Sequence, residues 1–252
     1  MTSKPSDEPS RSFDDPELEA VFARSSPADT IAAVLTEARL VLAELDSPLD
    51  AELWGSDIVA TLDSGGDAAA PALAGEFVAA AERAGTREAL AALRVLGVVG
   101  PPRLAAAAAE AAGRLAARGI GEPAWSGSIG APRPGECWRY GDAAGRQEAV
   151  TASFWYAEHG HALSVLLDLD QGGGIKDIWV GALGDLLDRT VQMARQDPRM
   201  EFEMLTQADA RARMDRAIAA GECPQGPAEA GHVGSMRAML RTRATLLRRH
   251  AG

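Results

Sequence analysis

The chain has 252 residues, 46% of them apolar and 24% charged, enough to bury a substantial core and ordinary for a globular protein. Its formal net charge of −11 sets it against phosphate backbones and anionic membrane surfaces, which disfavours non-specific nucleic-acid binding. Cys137 and Cys223 form neither a disulfide framework nor a CxxC pair, and Met1–Asp15 lacks the charged-then-apolar order of a signal peptide, so a reducing, cytoplasmic setting is expected.

Residues 1–14 are polar and rich in Ser and Pro, the composition of a disordered tail. A short helix is expected at Pro16–Arg24. Ser26-Pro27-Ala28-Asp29 then supplies an N-cap, a proline at the first helical position and an acid in the first turn. The helix so opened carries Ile31, Val34, Leu35, Ala38, Leu42 and Leu45 at 3.6-residue spacing, up to Asp46-Ser47-Pro48. A second helix is predicted over Asp50–Leu62, ending at Ser64-Gly65-Gly66-Asp67. A third runs through Leu73, Phe77 and Ala81 to Gly85, and Thr86 caps a fourth with Leu90, Leu93 and Leu96 inward. Gly100-Pro101-Pro102 separates a fifth, in which Leu104, Ala108, Ala111 and Leu115 share a face. The connections are short, which argues for antiparallel packing, HEAT-like at most. The Ala-rich stretch Leu104–Ala117 is interrupted by Glu110, Gly113 and Arg114 and does not read as a membrane span.

Between residues 120 and 135 the texture changes to Gly, Pro and Ser, and this segment is read as a linker between a helical region (15–119) and a sheet with helices (136–252). After it the period drops to two. Strands are predicted at Glu136–Tyr140, Ala149–Ala157, His161–Leu169 and Ile175–Val180, joined by turns at Gly141–Gly145, Glu158-His159-Gly160 and Gln171–Gly174, as an antiparallel meander. An amphipathic helix with Leu183, Leu186, Leu187, Thr190, Val191 and Ala194 on one side follows. Met200–Leu205 reads as one more strand, Thr206–Asp209 as a capping box, Gly221–Gly231 as a loop, and Ser235–Arg249 as the last helix. The fold class expected is α+β: a helical bundle in front, then a small antiparallel sheet covered by C-terminal helices.

Three groups of residues carry candidate chemistry. His161, Asp168, Asp170, Lys176 and Asp177 lie on adjoining strands or their turns; converging carboxylates with a nearby His suit acid/base work or a divalent cation. The competing view makes them solvated strand-end charges that block edge pairing, and alternation puts Asp177 and Lys176 on opposite sides. Trp138, Trp155 and Trp179, with Trp125, concentrate four of the five tryptophans in linker and sheet, as core or as a binding surface. Arg237, Arg241 and Arg248 share a helical face and no acid follows Glu229, so they serve either nucleic acid or the protein's own carboxylates, the second being favoured. Gly172-Gly173-Gly174 lacks the following helix and Lys-Ser/Thr pair of a phosphate loop, and Gly127-Ser128-Ile129-Gly130 lacks nucleophile-elbow spacing. No motif calls for a cofactor or a metal.

Pro132-Arg133-Pro134-Gly135-Glu136-Cys137-Trp138-Arg139, with Gly173-Gly174-Ile175-Lys176-Asp177-Ile178-Trp179-Val180, resembles a group of uncharacterised actinobacterial proteins with a similar helical front and sheet. The resemblance spans Leu90 to the C-terminus, implies a bacterial cytoplasmic origin and implies no catalytic residue. An excess of Ala, Gly and Arg with only Lys4 and Lys176 as lysines agrees with a GC-rich genome. The function expected is that of a non-enzymatic interaction or regulatory protein with protein partners and no membrane partner. The alternatives are a hydrolase built on Asp168, Asp170, Asp177 and His161, and a nucleic-acid-associated protein using the C-terminal arginines.

Overall fold

The helices begin where the capping chemistry puts them. The computed structural model describes residues 26–63, 69–223 and 227–248; the tail, the short helix at Pro16–Arg24 and the break at Ser64–Asp67 lie outside the described residues. Helix α1 (Pro27–Val41) opens on a reciprocal box in which Asp29 N–H donates to Ser26 Oγ and Ser26 N–H to Asp29 Oδ2, each at 3.2 Å. It ends at Val41, short of the sequence pattern, and Leu42–Glu44 form a turn. Helices α2 (Pro48–Asp63), α3 (Ala70–Ala84), α4 (Arg87–Val99) and α5 (Pro102–Ala117) follow.

Helix α4 is the centre of this half. It touches α1, α2, α3 and α5, and buries Leu90, Leu93, Val95, Leu96 and Val99. Helix α2 lies between α4 and the C-terminal helix, so it is buried on several sides. Gly55 permits the approach: a β-carbon there would fall 2.1 Å from Val95 Cγ1. A mid-helix glycine loses about 1 kcal/mol of intrinsic helix preference relative to alanine, and here the close crossing requires it.

The segment expected as a linker is packed. Trp125, in a 3₁₀ turn (Ala124–Gly127), is buried, and its indole N–H donates to the Leu45 carbonyl at 3.1 Å. Strands β1 (Arg133–Asp142), β2 (Gln147–Tyr156), β3 (His159–Asp168) and β4 (Gly174–Ala182) make the expected meander. After helix α6 (Leu186–Gln196), strand β5 (Met200–Leu205) returns to the other side of β1, giving an antiparallel sheet in the order β4-β3-β2-β1-β5. The β2–β3 turn is Ala157-Glu158 rather than Glu158–Gly160, because Tyr156 pairs with His159; Ala157 takes a φ of 48°, as a two-residue hairpin turn demands.

Helix α7 (Gln207–Ala220) starts on the Thr206 cap, with Asp209 N–H donating to Thr206 Oγ1 at 3.1 Å. Helix α8 (Pro227–Leu246) begins earlier than the sequence pattern indicates, since Pro227 suits a first helical position. One face of the sheet (Val150, Ala152, Phe154, Leu163, Val165, Leu167, Ile178) packs on Met214 of α7 and on Met239 and Leu240 of α8, in one core continuous with the helical half. The protein is thus α+β, and no helix among the described residues is long and apolar enough to cross a membrane.

Candidate functional site

Strand alternation sends Trp138, Tyr140 and Asp142 of β1, Ala149 and Thr151 of β2, Ser164 and Leu166 of β3 and Trp179 of β4 to the face opposite the core. Helix α6 lies over this outer face, but its packing is chiefly against β5, and Thr190 is its one buried residue. Between them is a cleft of about 640 Å³, walled by Trp138, Tyr140, Leu166, Trp179, Leu186 and Met193. That is a common size for a small-molecule site. Trp138 is 1% exposed, Trp179 37% and Met193 51%. On the floor Thr151 and Ser164, directly opposite across β2 and β3, share a 2.7 Å hydroxyl–hydroxyl hydrogen bond.

The cleft has a polar end. The β1–β2 and β3–β4 turns lie at the same end of the sheet and bring Asp142, Arg146 and Asp170 to its lining. Asp142 Oδ2 accepts the amide hydrogens of Gln147 at 2.8 Å and Arg146 at 3.1 Å. The Gln147 amide first, then those of Arg146 and Ala144 together with the Arg146 guanidinium, hold the carboxyl below its ordinary range against the opposing effect of burial. Its other oxygen, Oδ1, is covered by the protein's own atoms and lies 3.8 Å from Arg146 Nε.

The opposite face holds a buried charge cluster. Arg243 on α8 and Glu52 on α2, both fully buried, form a short ion pair through Nη2 and Oε2. Glu52 Oε1 also accepts from Tyr156 at 2.6 Å and from the Gly130 amide at 2.7 Å. Arg243 Nε donates to His161 Nε2 at 3.1 Å, and its guanidinium carbon lies 5.4 Å from the centre of the Phe154 ring. Burial first, then the Arg243 charge, pushes the His161 imidazole down to about 3; the ring is neutral, with its proton on Nδ1. Burial and the Glu52 charge push the Tyr156 phenol up. Four segments are joined here: α2, the loop at Gly130, the β2–β3 hairpin and α8.

The residues singled out by sequence are distributed as follows. His161 belongs to that buried cluster, on the core face. Asp168 is buried at the end of β3, where Oδ1 accepts the Gln171 amide at 3.2 Å. Asp170 lines the cleft. Asp177 accepts the Ile178 amide and lies 3.8 Å from His232 on α8. Lys176 and Asp168 both act on the Cys223 thiol, whose upward shift is mainly due to burial. Among the described residues no three His, Cys, Asp or Glu side chains gather in a way that would hold a metal ion. Trp138 and Trp179 wall the cleft, whereas Trp155 lies over the glycine opposite it in β3: a β-carbon on Gly160 would fall 2.9 Å from the indole. Arg237 pairs with Glu222, Arg241 is exposed, and the Arg248 amide donates to Gln207 Oε1 at 3.4 Å.

Missed by the sequence reading were Asp142, Arg146 and Met193 in the cleft, and Glu52, Tyr156 and Arg243 in the core. Two signals point to them. Asp142 continues the outward series of Trp138 and Tyr140, and Arg243 falls on the apolar stripe of Met236, Met239, Leu240 and Leu247. No protein-family model, no curated protein and no solved structure matches the chain.

Proposed function

We propose that this is a non-enzymatic binding protein of the interaction or regulatory kind, which takes a largely apolar small molecule into the cleft beneath α6. The observation that carries the reading is the cleft itself: about 640 Å³, with two tryptophans, a tyrosine, two leucines and two methionines around a hydroxyl floor. A few convergent polar groups in an apolar concavity is the usual composition of a ligand site. Met193 and Met204, 51% and 47% exposed, extend the apolar surface beyond the cleft and offer a protein partner a place to meet the loaded form. The protein acts in a bacterial cytoplasm, a setting in keeping with its two free cysteines.

Nile red, a neutral apolar dye, tests the reading. Its emission should rise on binding to the protein, and its affinity should fall at least tenfold in Ala149→Trp, which fills the cleft between Tyr140 and Leu166. Equal affinity for parent and variant would refute the site.

A further inference from the structure

We infer that the molecule taken by this cleft is a neutral ring compound bearing a carbonyl-type oxygen, which accepts a hydrogen bond from the Thr151–Ser164 hydroxyl pair. The inference rests on the binding role proposed above and adds the ligand's polarity and its point of attachment.

Strand register builds the seat. Trp138 pairs with Thr151, Thr151 with Ser164 and Ser164 with Trp179, so these four side chains form one row across β1, β2, β3 and β4 on the outer face. The two middle positions are small and the two flanking ones are tryptophan, which makes a trough with a hydroxyl floor and aromatic walls. Ala149, two residues before Thr151 on β2, continues the low floor. A ring between such walls gains from stacking on the indoles as well as from burial.

The floor has a hydrogen to give. Two hydroxyls carry two hydrogens, and one is used in the 2.7 Å bond between Thr151 Oγ1 and Ser164 Oγ; neither oxygen has another hydrogen-bond partner among the described residues. The second hydrogen is left without an acceptor among them. Thr151 is 4% and Ser164 2% exposed, and a donor so buried is costly to leave unpaired. Both residues line the cleft, so an acceptor on the ligand answers the deficit. The hydroxyl that accepts within the pair is made the stronger donor by that bond.

The row itself carries no charge. Of the charged groups in the lining, Glu148 accepts from Arg213 at 2.8 Å, Asp142 accepts from two turn amides and pairs with Arg146, and Asp170 stands on the β3–β4 turn. An ion seated on the hydroxyls would give up its water without a countercharge, so the group bound there is neutral.

4-Phenylbutan-2-one and n-butylbenzene, alike in shape and differing in the carbonyl, are titrated against bound Nile red on the full chain at pH 7, with 4-phenylbutyrate and 4-phenylbutylamine as charged counterparts. The ketone should displace the dye at least tenfold more tightly than either ion. Thr151→Val combined with Ser164→Ala removes both hydroxyls and keeps the trough, so the ketone should weaken about fivefold while butylbenzene binds as well as before or better. Unchanged ketone affinity, or an equal loss for both ligands, overturns the seating on the hydroxyls and leaves the cleft. An ion that matches the ketone overturns the neutral class. If neither ketone nor hydrocarbon binds, the binding role fails and this inference with it. Should the double variant not fold, the infrared carbonyl stretch of ¹³C-labelled ketone on the unaltered protein decides: a stretch below its value in hexane supports the hydrogen bond, and the hexane value overturns it.

Discussion

The two faces of the sheet are made by the same five strands and are finished in opposite ways. On the core face, α7 and α8 close over the strands, and the charged groups brought inside pair with one another: Glu52 with Arg243, Tyr156 and Gly130, and Arg243 with Glu52 and His161 through Nη2 and Nε, its Nη1 being buried without a hydrogen-bond partner among the described residues. On the outer face one amphipathic helix, α6, covers the sheet incompletely, leaving a cleft. The sealed face accounts for stability. The open face is where a ligand has room. Substitutions on the first should change unfolding far more than binding, and those on the second the reverse.

The largest effect is expected at the buried pair. Glu52→Gln strands the Arg243 charge in the core and should lower unfolding stability in urea by about 3–5 kcal/mol, whereas Glu52→Leu combined with Arg243→Met should recover most of it. A double variant as unstable as the single one would show that the pair contributes more than mutual neutralisation.

Acid should act through the same cluster. His161 is neutral in the fold, with its pKa down at about 3, whereas in the unfolded chain it takes up a proton below about 6.5. The unfolded state therefore binds more protons between these values. This contribution to stability is present above about pH 6.5 and is lost as pH falls toward 3, at about 1.4 kcal/mol per pH unit. His161→Gln, which still offers Arg243 an acceptor, should show a correspondingly shallower loss in urea melts from pH 6.5 to 4.5. Identical slopes would mean that His161 is not held neutral.

Next comes the helix crossing. Gly55→Val drives a side chain into Val95 and should destabilise by about 1–3 kcal/mol, with binding retained. On the outer face, Ala149→Trp should weaken dye binding at least tenfold while moving stability by less than about 1 kcal/mol. The smallest effect belongs to the exposed pair between Arg189 of α6 and Asp185 just before it, 3.1 Å apart: Arg189→Ala should change stability by no more than about 0.5 kcal/mol, and a larger change would show that α6 is held more firmly than its packing implies.

How much of this was legible in the sequence follows from the range of each interaction. Caps act over three residues, so Ser26–Asp29 and Thr206–Asp209 declare their helices. Strand alternation acts over two, so the meander is legible, and even the return of Met200–Leu205 as a strand. The partner of β5 is not, because nothing local sets which edge a returning strand joins. The ion pair between Glu52 and Arg243 spans most of the chain and shows in the sequence only as two charges on otherwise apolar stripes. Among the candidate site residues, Trp138 and Trp179 declare themselves by type. Asp142 does not, since in a Gly-Asp-Ala-Ala-Gly run it reads as a turn former, which it also is. Leu186 and Met193 take part only because α6 folds back over the sheet.

The most direct measurement is an ¹⁵N–¹H NMR titration that follows the five tryptophan indole signals as 4-phenylbutan-1-ol is added. The account predicts saturable shifts for Trp138 and Trp179, with Trp54 and Trp125 of the helical half unmoved. Shifts confined to Trp54 and Trp125, or none at any indole, would contradict it.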